Sequence, residues 1–205
     1  MKKTDNNKLT GWVKWILPLC LFIFMPISIL AQTTADFQKA VARYKNAKNV
    51  TATVTNRAHK DAVATDAVTK GTFQMKAPAV VTITMEGGKD QLLMEGSQFT
   101  MVANGKKHKT NSQKNIQFAS FQTVFESILS GGAKSIDHLT DLQLSKKGNL
   151  LVLTITPKPD SKKAARRMMF SSFVLTIDTK SSELRSLRMN ERAGYTEYTF
   201  SNFKF

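Results

Sequence analysis

Cysteine and tryptophan are almost absent from this sequence. Among its 205 residues there is one Cys, Cys20, and two Trp, Trp12 and Trp15. A single Cys excludes a disulfide framework and a zinc site built from thiolates. Glycine and proline are also few, at 10 and 5 residues, which excludes a collagen-like or low-complexity chain.

Acidic residues are scarce relative to basic ones. Asp and Glu number 15 against 30 Lys and Arg, so the formal net charge is +15. Apolar residues make up 41% of the chain. That content is enough for one packed domain and too high for a wholly disordered protein, and the length argues against two large domains.

The N-terminus has the pattern of a secretory signal peptide. Residues 1–14 contain four Lys and a single Asp, and residues 15–30 are apolar apart from two prolines and a serine. We predict a signal peptide over residues 1–31, cleaved after Ala31, and a single mature domain over residues 32–205.

A retained membrane anchor is the alternative interpretation of this segment. A spanning helix needs ~20 apolar residues, and this run is shorter and contains two prolines, so the anchor is disfavoured. Lipidation at Cys20 is not expected either, because Leu19 stands where a lipoprotein signal has a small residue.

Removal of the leader leaves about 174 residues with a net charge of +12 and neither Cys nor Trp. A chain of this length buries enough surface to be stable without disulfides. Export argues against nucleic acid as a partner. The positive charge favours either simple solubility or docking to an acidic protein or an anionic membrane.

Two segments have helical periodicity. Apolar residues recur at three- and four-residue steps after Thr34, a capping residue, and predict a helix from residue 34 to about 48. A second and unusually apolar helix is predicted from Phe118 to Leu129, stopped by Gly131 and Gly132. This second helix fits a core plug and a lid equally well.

Alternation of apolar and polar residues at a period of two predicts strands over most of the remaining chain. The predicted strands lie at residues 50–55, 71–76, 79–86, 91–95 and 98–103, on either side of a turn at 147–149, and at 173–177, 184–189 and 195–205. Residues 104–115 contain four Lys and no apolar residue and are predicted to be a solvated loop without structure of its own. A second basic stretch covers residues 158–167.

These patterns predict a mainly β, α+β domain. Nine or ten antiparallel strands in up-and-down succession, with turns about every 8 to 12 residues, favour one sheet that curls toward a barrel. Two helices are too few to cover both faces of such a sheet. We therefore expect them to lie in or over its concave side.

Motifs for catalysis and metal binding are lacking. His59, His108 and His138 are isolated, and the sequence has no G-x-S-x-G elbow, no P-loop and no dinucleotide fingerprint. Asp137 and Asp141 lie near His138, but we interpret them as ordinary surface polarity. We expect no metal, no cofactor and no enzymatic activity.

The residues predicted to point inward are large and soft. Besides phenylalanines and leucines they include Met75, Met85, Met101 and Met189, side chains that adapt to irregular ligands. Plain core and a ligand cavity are both compatible with this pattern.

Four short motifs occur in a characteristic order along the mature chain. They are Gly71-Thr72-Phe73, Pro78 followed by the alternating residues Val81, Ile83 and Met85, Ile155-Thr156-Pro157-Lys158, and the closing segment AGYTEYTF at 193–200. In this order and spacing, the chain resembles the LolA family, periplasmic carriers of outer-membrane lipoproteins.

The resemblance implies an incomplete antiparallel β-barrel, a half-barrel whose concave apolar face is covered by helices that act as a lid. Such a carrier is a monomer that receives acylated lipoproteins from an inner-membrane ATP-driven release complex. It crosses the periplasm and delivers them to an outer-membrane acceptor or membrane, and no bond is made or broken. A carrier is needed because one sixteen-carbon chain in water costs on the order of 12 kcal/mol, at ~0.8 kcal/mol per CH₂.

By position, Val81, Ile83 and Met85 match the strand that lines the family's cavity, and Phe121, Phe125, Ile128 and Leu129 match its lid helix. The expected acyl-chain site consists of these seven and of the inward-facing residues Phe73, Met75, Met101, Leu153, Ile155 and Leu175. The family often has an Arg that fastens the lid directly before the strand's proline. Here Ala77 occupies that position, and Lys76, on the opposite face of the strand, is the candidate.

Two other functions remain open. One is a LolA-like domain that binds lipids or an envelope-stress signal rather than carrying lipoproteins. The other is a secreted basic β-protein that binds an anionic surface through its Lys-rich segments at 106–114 and 158–167.

Overall fold

The computed structural model describes residues 34–103 and 105–205. The predicted signal peptide, Cys20, both Trp and Asn104 lie outside the described residues. No helix within the described ranges is long and apolar enough to span a membrane.

The strands of the described residues form one antiparallel sheet. Eleven are present: β1 (Asn49–Lys60), β2 (Ala67–Lys76), β3 (Val80–Met85), β4 (Gln91–Glu95), β5 (Gln98–Ala103), β6 (Lys106–Asn111), β7 (Leu142–Lys147), β8 (Leu150–Ile155), β9 (Ser172–Asp178), β10 (Leu184–Glu191) and β11 (Gly194–Lys204). They include every predicted strand, and the predicted fold class is confirmed.

The strand order is β6-β5-β4-β3-β2-β1-β11-β10-β9-β8-β7. Two meanders are thus joined where the first strand pairs with the last. The strands β6 and β7 are the two edges, and the sheet is not closed. Since β6 and β7 follow one another along the chain, the segment between them must cross from one edge of the sheet to the other.

Three helices accompany the sheet within the described residues. They are α1 (Thr34–Val41), which continues as a 3₁₀ turn (Ala42–Asn46), α2 (Ile116–Leu129) and α3 (Lys162–Arg166). The predicted first helix is therefore α-helical only in its first half. Helix α2 lies between β6 and β7 and is the element that connects the two edges.

The prediction of an unstructured loop at residues 104–115 was wrong for residues 106–111. These residues form β6 and pair with β5 from Gln98–Asn111 to Ala103–Lys106. The lysines of β6 show no apolar alternation, because this edge strand has no buried face. Charged side chains on an edge strand discourage its pairing with a strand of another molecule. The basic stretch at 158–167 likewise contains a helix, α3, whose cap Ser161 accepts a hydrogen bond from the Ala164 amide at 3.1 Å.

Inward-facing residues on neighbouring strands pair with one another and form rows on one face of the sheet. Phe73 on β2 pairs with Ile83 on β3, which pairs with Leu92 on β4, which pairs with Met101 on β5. The first three are buried and Met101 is half-buried. This row runs from the core toward the edge of the sheet.

We predict that Gly71→Ala destabilises the fold, because β3 passes directly over this residue. A Cβ at Gly71 would lie 2.2 Å from the Thr84 carbonyl oxygen, which is backbone and cannot rotate away. The expected loss is about 1–3 kcal/mol in the free energy of unfolding, measured by urea titration. The control is Thr72→Ala at the exposed neighbouring position. This substitution should change the free energy of unfolding by less than about 0.5 kcal/mol.

Candidate functional site

Helix α2 packs its aromatic side chains against both halves of the sheet. The ring of Phe118 lies 4.5 Å from that of Phe99 on β5, and the ring of Phe121 lies 4.8 Å from that of Phe173 on β9. Strands from opposite ends of the sheet order thus contact the same helix. The apolar face therefore curves around α2, and α2 covers that face.

Almost all the predicted acyl-chain residues come together in one apolar cluster, formed by α2 and the inward face of the sheet. Twelve of the thirteen are at most 5% exposed and belong to one apolar cluster: Phe73, Met75, Val81, Ile83, Met85, Phe121, Phe125, Ile128, Leu129, Leu153, Ile155 and Leu175. In this conformation they pack against one another. An acyl chain reaches them only if α2 moves, so their contact with a ligand stays a prediction.

Polar contacts hold the first half of α2. The Asn115 side chain caps the helix by accepting a hydrogen bond from the Gln117 amide at 3.2 Å. The side-chain oxygen of Gln117, which is buried, accepts from the Met169 amide at 3.2 Å. The Ser120 hydroxyl donates to the Asp141 carboxylate at 2.7 Å. Asp141, interpreted from the sequence as surface polarity, is thus a partner of the helix.

A second set of polar contacts holds the last half of α2. The buried Ser127 donates a hydrogen bond to the Lys134 carbonyl. The Glu126 carboxylate accepts from Gln122 and from the Lys134 ammonium, both at 2.6 Å. Burial alone would raise the pKa of Glu126, but the two hydrogen bonds and the Lys134 charge outweigh it and lower the pKa.

Glycines bring the end of α2 close to the N-terminal helical segment. Gly131 and Gly132 have φ angles of 64° and 85°. A Cβ on Gly131 would lie 2.5 Å from Lys45 Cβ, and one on Gly132 would lie 2.9 Å from Gln38 Cα. Only glycine combines a left-handed backbone with this close approach.

Lys76 lies at the end of β2 and is exposed. It points away from the face that carries Phe73 and Met75, as the alternation predicts. None of the ion pairs found in the described part of the chain includes it. Its role as a lid fastener stays a prediction.

A cavity of about 430 Å³ opens beside the core, where β5 and β10 end and β4 and β11 begin. Its volume is within the 300–1,000 Å³ that is typical of ligand pockets. Its larger apolar side chains include those of Leu92, Met101, Met169, Phe170, Met189 and Tyr198, and its charged or titratable ones include those of Lys60, Asp90, His108 and Glu191. Three of the apolar ones are methionines, which adapt to irregular ligands.

The polar groups of this cavity differ in how they are paired. Lys60 and Glu191 form an ion pair, whereas the side-chain oxygen of Asn56 is buried without a hydrogen-bond partner in the described structure. Burial and the charges of Asp90 and Glu191 raise the pKa of Tyr198 to about 12, so its hydroxyl is neutral at ordinary pH.

Sequence reasoning identified Met101 and missed Leu92, Met169 and Phe170 as cavity residues. Leu92 lies in a strand that was predicted over residues 91–95, but no residue of that strand was assigned to the cavity. The apolar triplet Met168-Met169-Phe170 directly follows a basic run. This change from charged to apolar residues is the signal in the sequence that could have identified Met169 and Phe170. Within residues 34–103 and 105–205, no three potential metal ligands converge.

We predict that Ser120→Ala loosens α2. The substitution removes a hydrogen bond to a carboxylate, which is worth about 1.5–3 kcal/mol, so amide exchange in 117–129 should accelerate at least tenfold. Hydrogen exchange with mass spectrometry measures this. Exchange in β1 should change less, and Ser145→Ala, at an exposed site, should leave α2 unchanged.

The Glu126 contacts predict a pH dependence of stability. Because the folded-state pKa is lowered from 4.5, the stabilisation is complete above that value and is lost as pH falls through the folded-state pKa. Glu126→Gln should therefore lower Tm at neutral pH, and the difference from the parent should shrink in acid. If the difference in Tm between Glu126→Gln and the parent stayed the same across the acid range, this prediction would be contradicted. Adding Lys134→Gln to Glu126→Gln should lower Tm only slightly further.

Comparison with known families matches residues 45–205 to the family described as outer membrane lipoprotein carrier protein LolA. None of the curated proteins matches the chain. The match to the family extends over more than half of the chain and includes α2 and all eleven strands.

Several solved structures are distantly similar. A LolA superfamily protein from Nitrosomonas europaea has 10% identity and a TM-score of 0.38, covering 85% of this chain and 94% of that chain. A domain described as an outer membrane lipoprotein-sorting protein, from Vibrio parahaemolyticus, has 10% identity, a TM-score of 0.43 and coverages of 84% and 91%. Lipoprotein LppX from Mycobacterium tuberculosis has 14% identity, a TM-score of 0.36 and coverages of 83% and 93%. On the strength of the family match, the chain belongs to the LolA family.

Proposed function

We propose that this protein is a periplasmic carrier that binds the acyl chains of lipoproteins on the curved apolar face and delivers them to the outer membrane. The observation that carries the proposal is the continuity between cavity and core. The row from Phe73 through Ile83 and Leu92 ends at Met101, which lines the open cavity. An acyl chain that enters the cavity is thus led along this row toward the residues under α2.

The side chains along this path suit an acyl chain. They are aliphatic, aromatic and thioether groups that make no directional demand on a ligand, and burial of each CH₂ contributes ~0.8 kcal/mol. The binding needs no reacting group, and we propose no catalysis.

Loading and release require that α2 has two states of similar free energy. The apolar contacts of α2 with Phe99 and Phe173 are the contacts that an acyl chain would replace. The polar contacts of Ser120, Gln117 and Ser127 define the closed position. Replacement of helix by ligand keeps the apolar face covered throughout.

Family membership and the predicted leader support the cellular setting. Both agree with a protein that is exported and acts between two membranes. An inner-membrane ATP-driven release complex as the donor and an outer-membrane acceptor or membrane as the recipient are part of the proposal, as is a monomeric carrier.

The test is native mass spectrometry on the full chain, expressed with its own leader in a Gram-negative host and purified gently. We expect bound acylated protein. Met101→Trp narrows the cavity beside the row and should lower occupancy about tenfold, the equivalent of roughly two lost methylene contacts. Val63→Trp, at a site 53% exposed and outside the cavity, is the matched control.

Other outcomes separate the alternatives. Free lipid without acylated protein would contradict the carrier function and favour a LolA-like lipid binder. Equal occupancy in both Trp variants would show that the ligand does not use this cavity.

A further inference from the structure

Two exposed basic segments are separated by about fifty residues in the sequence. The first contains Lys106, Lys107 and Lys109 of β6, followed by Lys114, and the second contains Lys162, Lys163, Arg166 and Arg167 in and directly after α3. All eight side chains are exposed. None of the ion pairs formed among the described residues involves them.

A groove of about 780 Å³ brings the two segments together. Lys114 lines it from the segment before α2, and Lys163 and Arg167 line it from the α3 side. Asp160 is the one acidic residue among the described residues of its lining. Lys114, Lys163 and Arg167 therefore share one groove. Together with the other exposed cations of their two segments they define the basic rim: Lys106, Lys107, Lys109, Lys114, Lys162, Lys163, Arg166 and Arg167.

The basic rim borders the mouth of the apolar cavity. Met168 lines the groove, whereas the next two residues, Met169 and Phe170, line the cavity. His108 of β6 lines the cavity as well. Met169 is 52% exposed, so a large apolar side chain stands in water two residues after Arg167.

Protection of the sheet edge accounts for only part of this charge. Lysines on β6 discourage pairing with another strand. The cations in and directly after α3 lie on no strand and protect no edge, yet Lys163 and Arg167 line the same groove as Lys114.

We propose that the basic rim docks to an anionic lipid bilayer and sets the cavity mouth against the membrane. The eight cations are spread over exposed side chains rather than set in a pocket with fixed partners, which fits a diffuse layer of lipid phosphates. Clusters of four to eight cations near a membrane-facing element are typical of anionic-lipid recognition. Met169 adds an apolar side chain where it would enter the headgroup boundary.

An acidic protein is the competing partner, and the spread of the cations over two segments without fixed partners favours the bilayer. The docking surface does not require that the protein carries lipoproteins. A lipid-binding relative of different function would gain the same orientation toward a bilayer.

The experiment is flotation of the full chain, exported and purified, with vesicles of phosphatidylcholine with or without phosphatidylglycerol, at increasing salt. We expect binding only with phosphatidylglycerol, weakened by salt. The variant Lys106→Gln/Lys107→Gln/Lys109→Gln should bind about a hundredfold more weakly, at about fivefold per cation. The variant Met169→Gln should weaken binding several-fold without altering its dependence on salt.

The matched control removes three cations elsewhere. Lys146, Lys147 and Lys180 are exposed, lie in the β7–β8 and β9–β10 hairpins and line neither the groove nor the cavity. Lys146→Gln/Lys147→Gln/Lys180→Gln lowers the net charge equally and should cost less than tenfold. Circular dichroism of each variant verifies folding.

Three results would overturn the docking proposal: equal losses in the two triple variants, equal binding to neutral vesicles, or no vesicle binding at all, the last favouring an acidic protein. Occupancy by acylated ligand, read by mass spectrometry on the same samples, reports separately on the carrier function. Vesicle binding without acylated ligand would support the docking surface while contradicting the carrier.

Discussion

The packing of α2 across an open antiparallel sheet is the interaction on which the rest of this structure depends. The eleven strands form one sheet with two free edges and a single apolar face. Burial of one large apolar side chain contributes about 1.5–3 kcal/mol, and close aromatic pairs add about 0.5–1.5 kcal/mol. Through Phe118 and Phe121, α2 joins strands of both meanders that have no direct pairing with each other. Without it, the inward residues of both meanders would face water.

The same arrangement suits the proposed carrier function. A surface that is stable only when covered would accept an apolar cover of suitable size, either a helix or an acyl chain. Apolar contacts have no preferred direction, so an acyl chain could replace the helix without matching a particular arrangement of contacts. The position of the closed helix depends instead on a few hydrogen bonds, such as those of Ser120 and Gln117. Under the proposed function, stability and release therefore depend on different kinds of interaction.

The segment between β8 and β9 places two chemical environments side by side. Its basic part lines a polar groove, and Met169 and Phe170 directly after it line an apolar cavity. A lipid has the same two parts, a charged or polar head and an apolar tail. The proposed docking of the basic rim and the proposed binding of acyl chains are therefore separate inferences that use adjacent surfaces.

The sequence by itself determined which residues face inward and which motifs define the family. The period-two alternation that places Phe73, Ile83 and Leu153 on the inward faces of their strands depends on local backbone geometry. It can therefore be recognised in the sequence alone. The strand β6 was missed because its residues are exposed or half-buried and show no apolar alternation, unlike Leu142 and Leu144 of the other edge strand, β7. Only the tertiary structure decided that Asp141 holds Ser120, that Phe170 lines a cavity, and that Lys114 and Arg167 share one groove. These contacts join residues far apart in the chain, and periodicity records the side of an element on which a residue lies, not what the fold brings opposite to it.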